Sequence, residues 1–137
     1  MGRHSAVMEK RNQYLPQAWM FEVQPGKFDV RIMNQTTFWI NREAQILRID
    51  EMSTDHIANV ISMLEENPRR YHLAALVDAT INILESMIEG RASGEVLAYE
   101  LTGENPGDIP AEEWLAATPL MRHLRRTIKE RRNAASS

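Results

Sequence analysis

A histidine and an asparagine lie three residues apart in the segment STDHIANVISML, residues 53–64. Side chains with this spacing are neighbours on a helix, so His56 and Asn59 together can bind an anion, a base edge or a segment of backbone. The other interpretation is architectural: His56 helps to satisfy free amide groups at the helix N-terminus, and Asn59 bonds a neighbouring loop or strand. The architectural interpretation is favoured, because a single histidine carries little functional information.

The remaining chemistry-bearing residues do not form a catalytic or metal-binding pattern. The chain has no cysteine, which excludes disulfides, thiol nucleophiles and thiolate metal sites. Its four histidines show no metal-ligand spacing. Ser53, Asp55 and His56 cannot form a catalytic triad, because sequential neighbours on a helix point apart. We therefore predict no catalytic residue, metal or cofactor, and an enzymatic activity is disfavoured but left open.

The segment PLMRHLRRTIKERR, which begins at Pro119, predicts a basic amphipathic helix. Residues 119–137 contain six Lys or Arg and one acid, whereas the preceding residues contain ten and eighteen. Such a helix can bind phosphates, an acidic protein or the acidic body of a second copy. The alternative is a solvated last helix whose cations complement its dipole. The cations assigned to the binding face are Arg122, Arg125, Arg126 and Lys129.

Two pairs of alternating segments predict the strands of the fold. In AWMFEVQPGKFDVRIM, pairing across Pro25-Gly26 places six apolar residues on one face. Because L-Pro followed by Gly suits a type II turn, which splays a two-residue hairpin, a wider loop is expected there. The segments TTFWI and QILRI, joined by residues 41–44, predict a second hairpin. The pairs predicted across the first turn are Val23 with Phe28, Phe21 with Val30, and Trp19 with Ile32.

A helix is predicted to begin after Ser53, which is a suitable N-cap. Asp55 in the first turn favours the helix dipole, and Met52 can pack onto Ile57 across the cap. The buried stripe of this helix follows the i, i+3, i+4, i+7 template. Its members are Ile57, Val60, Ile61 and Leu64.

His56 and Asn59 border this stripe and do not belong to it. At 100° per residue they fall on one flank of the helix, together with Met63. The two polar residues are therefore expected beside the core, not within it.

Asn67 and Pro68 predict the end of this helix and the start of a second one, since Asn can cap and Pro is favoured at the first helical position. The second helix is expected to end near Glu89, before Gly90. Its apolar face is broad, and burial against the sheet is favoured over a dimer contact. That face comprises Leu73, Leu76, Val77, Thr80, Ile81, Ile83, Leu84, Met87 and Ile88.

The other segments complete a single small domain. Residues 96–102 fit either a helix or a strand, with helix slightly favoured, and a short helix is expected from Pro110. Residues 1–13 are predicted to form a flexible arm, residues 14–132 one domain, and residues 133–137 a disordered tail. The predicted class is α+β: a small antiparallel sheet of about four strands, packed against a helical hairpin and two short C-terminal helices.

The sequence carries no signal of secretion or membrane insertion. Its first residues, MGRHSAVMEKRNQ, lack the apolar run of a signal peptide, and no stretch of about 18 apolar residues occurs. The absence of cysteine fits a reducing compartment. We therefore expect a cytoplasmic protein without a membrane partner.

The segment FWINREAQILRIDEMSTDHIANVISMLEEN, residues 38–67, resembles part of short, mostly uncharacterised proteins of tailed bacteriophages and prophages. In those proteins a Trp-bearing hairpin leads through Ile-x-x-Met-Ser/Thr into a helix that reads His-Ile/Leu-x-Asn. Their hairpin turn more often contains Gly, and TPLMRHL, residues 118–124, is similar to the ending they often carry. The resemblance implies a small phage accessory protein that binds and redirects a host component in the bacterial cytoplasm, and it supplies no catalytic residues. The matching positions are Trp39, Ile49, Met52, Ser53, His56, Asn59 and Leu64.

These observations support three functional hypotheses. The favoured one is a non-enzymatic protein that binds a host component, either a protein or a defence signal. The second is a nucleic-acid-binding protein that uses the basic helix; it is weaker because the acidic remainder of the chain repels a duplex. The third is a nucleotide-sequestering protein with an anion pocket formed by His56, Asn59 and an arginine such as Arg48 or Arg91. A homo-oligomer is compatible with each.

Overall fold

The computed structural model describes residues 15–90 and 109–136, which form a mixed, helix-rich α+β fold. The predicted arm, residues 1–13, and the ambiguous segment 96–102 lie outside the described residues. The helices are α1 (Thr54–Glu66), α2 (Pro68–Ile88), α3 (Ala111–Ala117) and α4 (Pro119–Ser136), and the strands are β1 (Phe38–Ile40) and β2 (Ile46–Arg48). Short 3₁₀-helices cover Ala18–Glu22, Val30–Asn34 and Ile49–Glu51.

The first predicted hairpin is wrong, because residues 18–34 form two 3₁₀-helices instead of two strands. The chain reverses at Pro25-Gly26, where Lys27 N donates to Gln24 O at 3.1 Å. Gly26 has a φ of 77°, as the third residue of a type II turn requires. The twist of this turn splays the flanking segments, so they do not pair as strands.

The six apolar residues of the predicted pairs therefore do not share a face. Phe21 is 69% exposed, whereas Ile32 is 2% exposed and belongs to the core. Local contacts hold the second 3₁₀-helix instead: the Asp29 carboxylate accepts from Arg31 N at 3.0 Å, and the Arg31 guanidinium lies 4.6 Å from the ring centroid of Trp19. Within the described residues, the sheet has two strands and not about four.

The second predicted hairpin is confirmed. β1 pairs antiparallel with β2, with Trp39 opposite Leu47. The connecting loop is organised by the Asn41 side chain, whose Oδ1 accepts from Glu43 N at 3.1 Å and from Gln45 N at 2.8 Å. A single side chain thus fixes the loop from within.

Replacing Ala44 with glycine is expected to raise the free energy of unfolding by about 0.5–1 kcal/mol. Ala44 has a φ of 63°. This left-handed conformation costs a non-glycine residue about 1–2 kcal/mol, and glycine relieves it at about 0.5–1 kcal/mol of chain entropy. Urea denaturation followed by circular dichroism measures the change.

Ala75→Gly is the matched control for this substitution. Ala75 lies inside α2, where glycine in place of alanine lowers the free energy of unfolding by up to about 1 kcal/mol. The two variants should therefore shift the denaturation midpoint in opposite directions. A loss of stability in Ala44→Gly as large as in the control would contradict the loop conformation.

α1 begins as predicted. Ser53 Oγ accepts a hydrogen bond from His56 N at 3.1 Å, which confirms Ser53 as the N-cap. Met52 and Ile57, on either side of the cap, are both buried, as a contact across it requires. Of the predicted buried stripe, Ile57, Val60 and Leu64 are buried and form one wall of the core, whereas Ile61 is only partly buried and packs against it.

α4 forms the opposite wall of the core and packs against α1. Its start is fixed by Thr118, whose hydroxyl donates to Leu115 O at 2.7 Å and accepts from Met121 N at 3.3 Å. The helix is longer than expected, because it continues through residues 133–136, which the sequence predicts to be a tail. The amphipathic pattern is confirmed by the buried residues Leu120, Met121, Leu124 and Ile128.

An arginine of α4 ties this helix to the segment that precedes α1. The Arg131 guanidinium donates to Met52 O at 2.6 Å and to Asp50 O at 3.3 Å. It also donates to Thr54 Oγ1 at 3.4 Å. These contacts fix the direction in which α1 leaves the hairpin.

α2 is anchored mainly through two rings near its N-terminus. Tyr71 lies edge-on to Phe28, with ring centroids 4.8 Å apart, and His72 stacks on Trp114 at 5.1 Å. Both Tyr71 and His72 are buried. The helix is thus held against the 3₁₀-helical region on one side and against α3 on the other.

The predicted ends of α2 are confirmed in position. The helix runs from Pro68 to Ile88, and Gly90 adopts a φ of 71° beyond its last turn. Asn67 precedes the helix, but its side chain forms no capping hydrogen bond, so the expected cap is wrong. The proline at the first helical position is therefore the local start signal.

The expected burial of the broad apolar face of α2 is wrong. Six of its large apolar side chains are between 49% and 86% exposed. Two strands of three residues, each about 10 Å long, cannot cover a helix of about 30 Å. The exposed residues are Leu73, Val77, Ile81, Leu84, Met87 and Ile88.

Candidate functional site

His56 and Asn59 lie on the flank of α1 that faces the β-hairpin. Met63 shares this flank, as the 100° spacing predicts. Together with residues of the hairpin they line an open depression of about 300 Å³, which we call the hairpin–helix face. It is lined by Trp39, Asn41, Arg42, Glu43, His56, Asn59, Val60 and Met63.

Four polar side chains of the hairpin–helix face are available to a partner. Across residues 15–90 and 109–136, the side chains of Arg42, Glu43, His56 and Asn59 form no hydrogen bond or ion pair. His56 contributes to the helix cap through its main-chain N, which leaves the ring available. The bond from Asn59 to a neighbouring loop or strand, which the architectural interpretation requires, is not among the contacts of the described residues.

Arg42 is presented by a main chain that is held from two sides. Gly26 N donates to Arg42 O at 2.8 Å, which joins the type II turn to the hairpin loop. Asn41 Nδ2 donates to Gln45 Oε1 at 2.7 Å across the loop. The sequence places Arg42 in a turn but gives no sign that it is a site residue, because only the packing of the hairpin against α1 brings it near His56.

The apolar part of the hairpin–helix face is Met63. This side chain is 37% exposed, whereas Trp39 and Val60 are buried. A second groove of about 280 Å³ extends from Met63 to Arg70 and Tyr71. The face therefore combines a small apolar centre with polar and basic groups around it.

The predicted basic residues lie on the outer side of α4 and are exposed. Arg125 Nη2 pairs with Glu65 Oε1 of α1 at 2.8 Å. A groove of about 440 Å³ separates the two helices there, and Lys129 lines it as well. We call this surface the basic face, with Arg122, Arg125, Arg126 and Lys129 as its residues.

One cation of the basic face is engaged by a histidine. Arg126 Nη2 lies 3.1 Å from His123 Nδ1, and because an arginine only donates, the ring nitrogen accepts. Partial burial, followed by the charge of Arg126, lowers the pKa of His123 below its ordinary value. The ring therefore favours the neutral form that accepts this hydrogen bond.

The structure does not bring the two groups of predicted site residues together. α1 turns the side with Ile61 and Glu65 towards α4, and the side with His56 and Asn59 towards the hairpin. At 100° per residue these two sides point in nearly opposite directions. The hairpin–helix face and the basic face are therefore separate surfaces, divided by α1.

The nucleotide hypothesis names Arg48 or Arg91 as the arginine that accompanies His56 and Asn59. Arg48 lines a groove with His56, but its guanidinium pairs with two neighbouring carboxylates at 2.9 and 3.3 Å. Arg91 lies outside the described residues. Arg42 is the arginine that shares the hairpin–helix face with His56.

The described residues contain neither a metal-binding cluster nor a membrane-spanning helix. Among residues 15–90 and 109–136, no group of three His, Asp or Glu side chains is placed to hold a metal ion. None of the helices described here has both the length and the apolar character needed to cross a membrane.

Comparison with known proteins finds no relative that indicates a function for this chain. No protein-family model matches the chain, and neither a curated protein nor a solved structure matches it. The function is therefore inferred from the geometry of the described residues and from the sequence.

Proposed function

We propose that the chain is a non-enzymatic binding protein of the phage accessory type, and that it engages a host protein through the hairpin–helix face. The observation that carries this proposal is the set of four unpaired polar side chains around Met63, of which Glu43 is the acidic one. Arg42, His56 and Asn59 offer donors and acceptors that nothing in the described part of the protein uses.

The composition of this face suits a protein partner. The centres of protein interfaces are apolar, and arginine and methionine are enriched in them while a polar rim surrounds them. Met63 and Arg42 supply those residue types within one depression. Because hydrogen bonds fix the Arg42 loop before binding, little ordering entropy opposes association.

The openness of the face argues for a protein over a small molecule. Sites for small ligands are clefts that bury about 70–90% of the ligand surface. The depression at His56 is bounded only by the hairpin on one side and α1 on the other. A flat or convex protein surface can cover such a shallow site, whereas a nucleotide would stay largely in solvent.

The setting of the proposal comes from the sequence. Residues 38–67 resemble a segment of small phage and prophage proteins, and such accessory proteins commonly bind and redirect a host component. We therefore place the partner in the bacterial cytoplasm. The resemblance supplies no partner identity, so the experiment must find it.

The test compares a variant with altered charges on the hairpin–helix face with a matched control variant. The test variant is Arg42→Glu with Asn59→Arg, and the control is Arg122→Glu with Asn133→Arg, which makes the same two changes on exposed residues of α4. The tagged wild-type chain and both variants are used to capture proteins from nuclease-treated bacterial lysate, and small molecules released from the bead are analysed in parallel. Each recovered protein is then purified, and its affinity for the three chains is measured by calorimetry.

The expected result is one bacterial protein whose affinity falls at least about tenfold, or 1.4 kcal/mol, in the test variant and stays within about twofold in the control. A protein partner whose affinity falls in the control only would move the function to the basic face. Recovery of a nucleotide in place of a protein would support the sequestration hypothesis. Turnover of a substrate, abolished by one polar substitution, would overturn the non-enzymatic proposal.

A further inference from the structure

An uninterrupted apolar stripe lies on the exposed side of α2. Its residues are spaced by four, four, three and four positions, and each is between 49% and 86% exposed. At 100° per residue, all five fall within about 80° of one another around the helix. We call this the outer stripe, and its members are Leu73, Val77, Ile81, Leu84 and Ile88.

The outer stripe is a continuous apolar surface, not a set of isolated exposed apolar residues. It extends for about 22 Å at 1.5 Å per residue, and Met87 adds apolar surface beside it. Continuous apolar patches of this kind on a monomer are commonly interaction sites. Spacings of four and three residues keep side chains on one seam, which is the pattern that packs against a second helix.

The charges of α2 are placed against its own dipole. Arg69 and Arg70 lie in the first turn, where cations are unfavourable, and Glu85 and Glu89 lie at the other end, where anions are unfavourable. Within an isolated helix this arrangement lowers stability. A neighbouring helix that runs antiparallel would place the arginine end of one helix level with the glutamate end of the other.

The outer stripe is also self-complementary in the antiparallel arrangement. With a two-fold axis midway between Val77 and Ile81, Val77 of each copy lies opposite Ile81 of the other copy. The same axis places Leu73 level with position 85 of the second copy, one residue from Leu84, and it places the arginine end level with the glutamate end. A parallel pair would place arginine against arginine and glutamate against glutamate.

We propose that two copies of this chain associate through the outer stripe of α2 as an antiparallel, two-fold symmetric pair. The occupant is a second copy because the stripe and the charges at its ends match themselves under one rotation. The hairpin–helix face is built by α1 and the hairpin, so this proposal stands independently of the proposed host partner.

The association is tested by sedimentation velocity over a concentration series of the full chain. The wild-type chain is expected to sediment as a dimer, and Val77→Asp with Ile81→Asp as a folded monomer with a native circular dichroism spectrum. The dissociation constant should rise at least about a hundredfold, because four unpaired carboxylates would be buried at the centre of the interface. The control is Phe21→Asp, which changes an exposed apolar residue outside the stripe and should leave the dimer unchanged.

The direction of the pair is tested by disulfide formation, since the chain has no cysteine of its own. An antiparallel pair should cross-link when Leu73→Cys and Leu84→Cys chains are mixed, and neither chain should cross-link with itself. Self-cross-linking of each chain would overturn the antiparallel arrangement. A wild-type chain that remains monomeric at the highest concentration, or a dimer that survives the Val77→Asp and Ile81→Asp changes, would overturn the proposal.

Discussion

Replacing Leu124 with alanine is expected to lower the free energy of unfolding by about 3 kcal/mol. Leu124 is 0% exposed on the inner face of α4 and belongs to the same core cluster as Ile57 and Leu64 of α1. The substitution removes buried apolar contacts and leaves a cavity that its neighbours fill only in part, which costs about 2–5 kcal/mol at such sites. Urea denaturation followed by circular dichroism gives the change directly.

Leu15→Ala is the control for this experiment, because Leu15 is 62% exposed. Its effect should stay within about 0.5 kcal/mol of zero. Both variants must be measured at one protein concentration, so that any association contributes equally. Similar effects of the two substitutions would show that the inner face of α4 is not the core.

Replacing Gln35 with alanine is expected to lower the free energy of unfolding by about 2–3 kcal/mol. The Gln35 amide makes four hydrogen bonds to the main chain before β1. Its Nε2 donates to Ile32 O at 2.8 Å and to Phe38 O at 2.7 Å, and its Oε1 accepts from Thr37 N at 3.0 Å and from Phe38 N at 2.7 Å. Each bond contributes about 1 kcal/mol net, and water replaces some of them because the site is only partly buried.

Gln24→Ala provides the matched comparison. The Gln24 side chain makes one exposed hydrogen bond, to Glu22 O at 3.2 Å, so its loss should change the free energy of unfolding by less than about 0.5 kcal/mol. Gln35 also connects the 3₁₀-helix to β1, so its loss should increase hydrogen exchange of the hairpin amides. Equal stabilities for the two variants would contradict the bonding of Gln35.

Local signals in the sequence were sufficient for α1 and the second hairpin. The α1 N-cap and the burial of Met52, Ile57, Val60 and Leu64 depend on residues within one or two turns, and the structure confirms them. The same alternation of apolar residues failed on both sides of Gly26. There the twist of a type II turn and the local bonds of Asp29 outweigh the strand pattern.

The extent of burial could not be predicted, because it depends on how many elements exist to cover a face. The apolar pattern of α2 favours a buried face, but it cannot say whether another element covers that face. Once the first hairpin is lost as a sheet, Leu84 and its neighbours on the outer stripe remain exposed. The wrong prediction for the first hairpin thus led to a wrong prediction for the burial of α2.

Only part of the candidate site could be predicted from local sequence. The positions of His56, Asn59 and Met63 on one flank follow from helix geometry alone. Arg42 joins them only through tertiary packing, and Arg125 finds Glu65 at a sequence separation of 60 residues. No local sequence pattern predicts the position of Arg42 beside His56 or the ion pair of Arg125 with Glu65.

The packing of α4 against α1 joins two segments that leave the ribosome at different times. The inner wall of the core and the Arg131 contacts come from residues that follow α1 by more than 50 positions. A nascent chain therefore carries the apolar stripe of α1 uncovered until α4 has emerged from the ribosome. During that interval the chain depends on chaperones or on speed of synthesis to avoid aggregation.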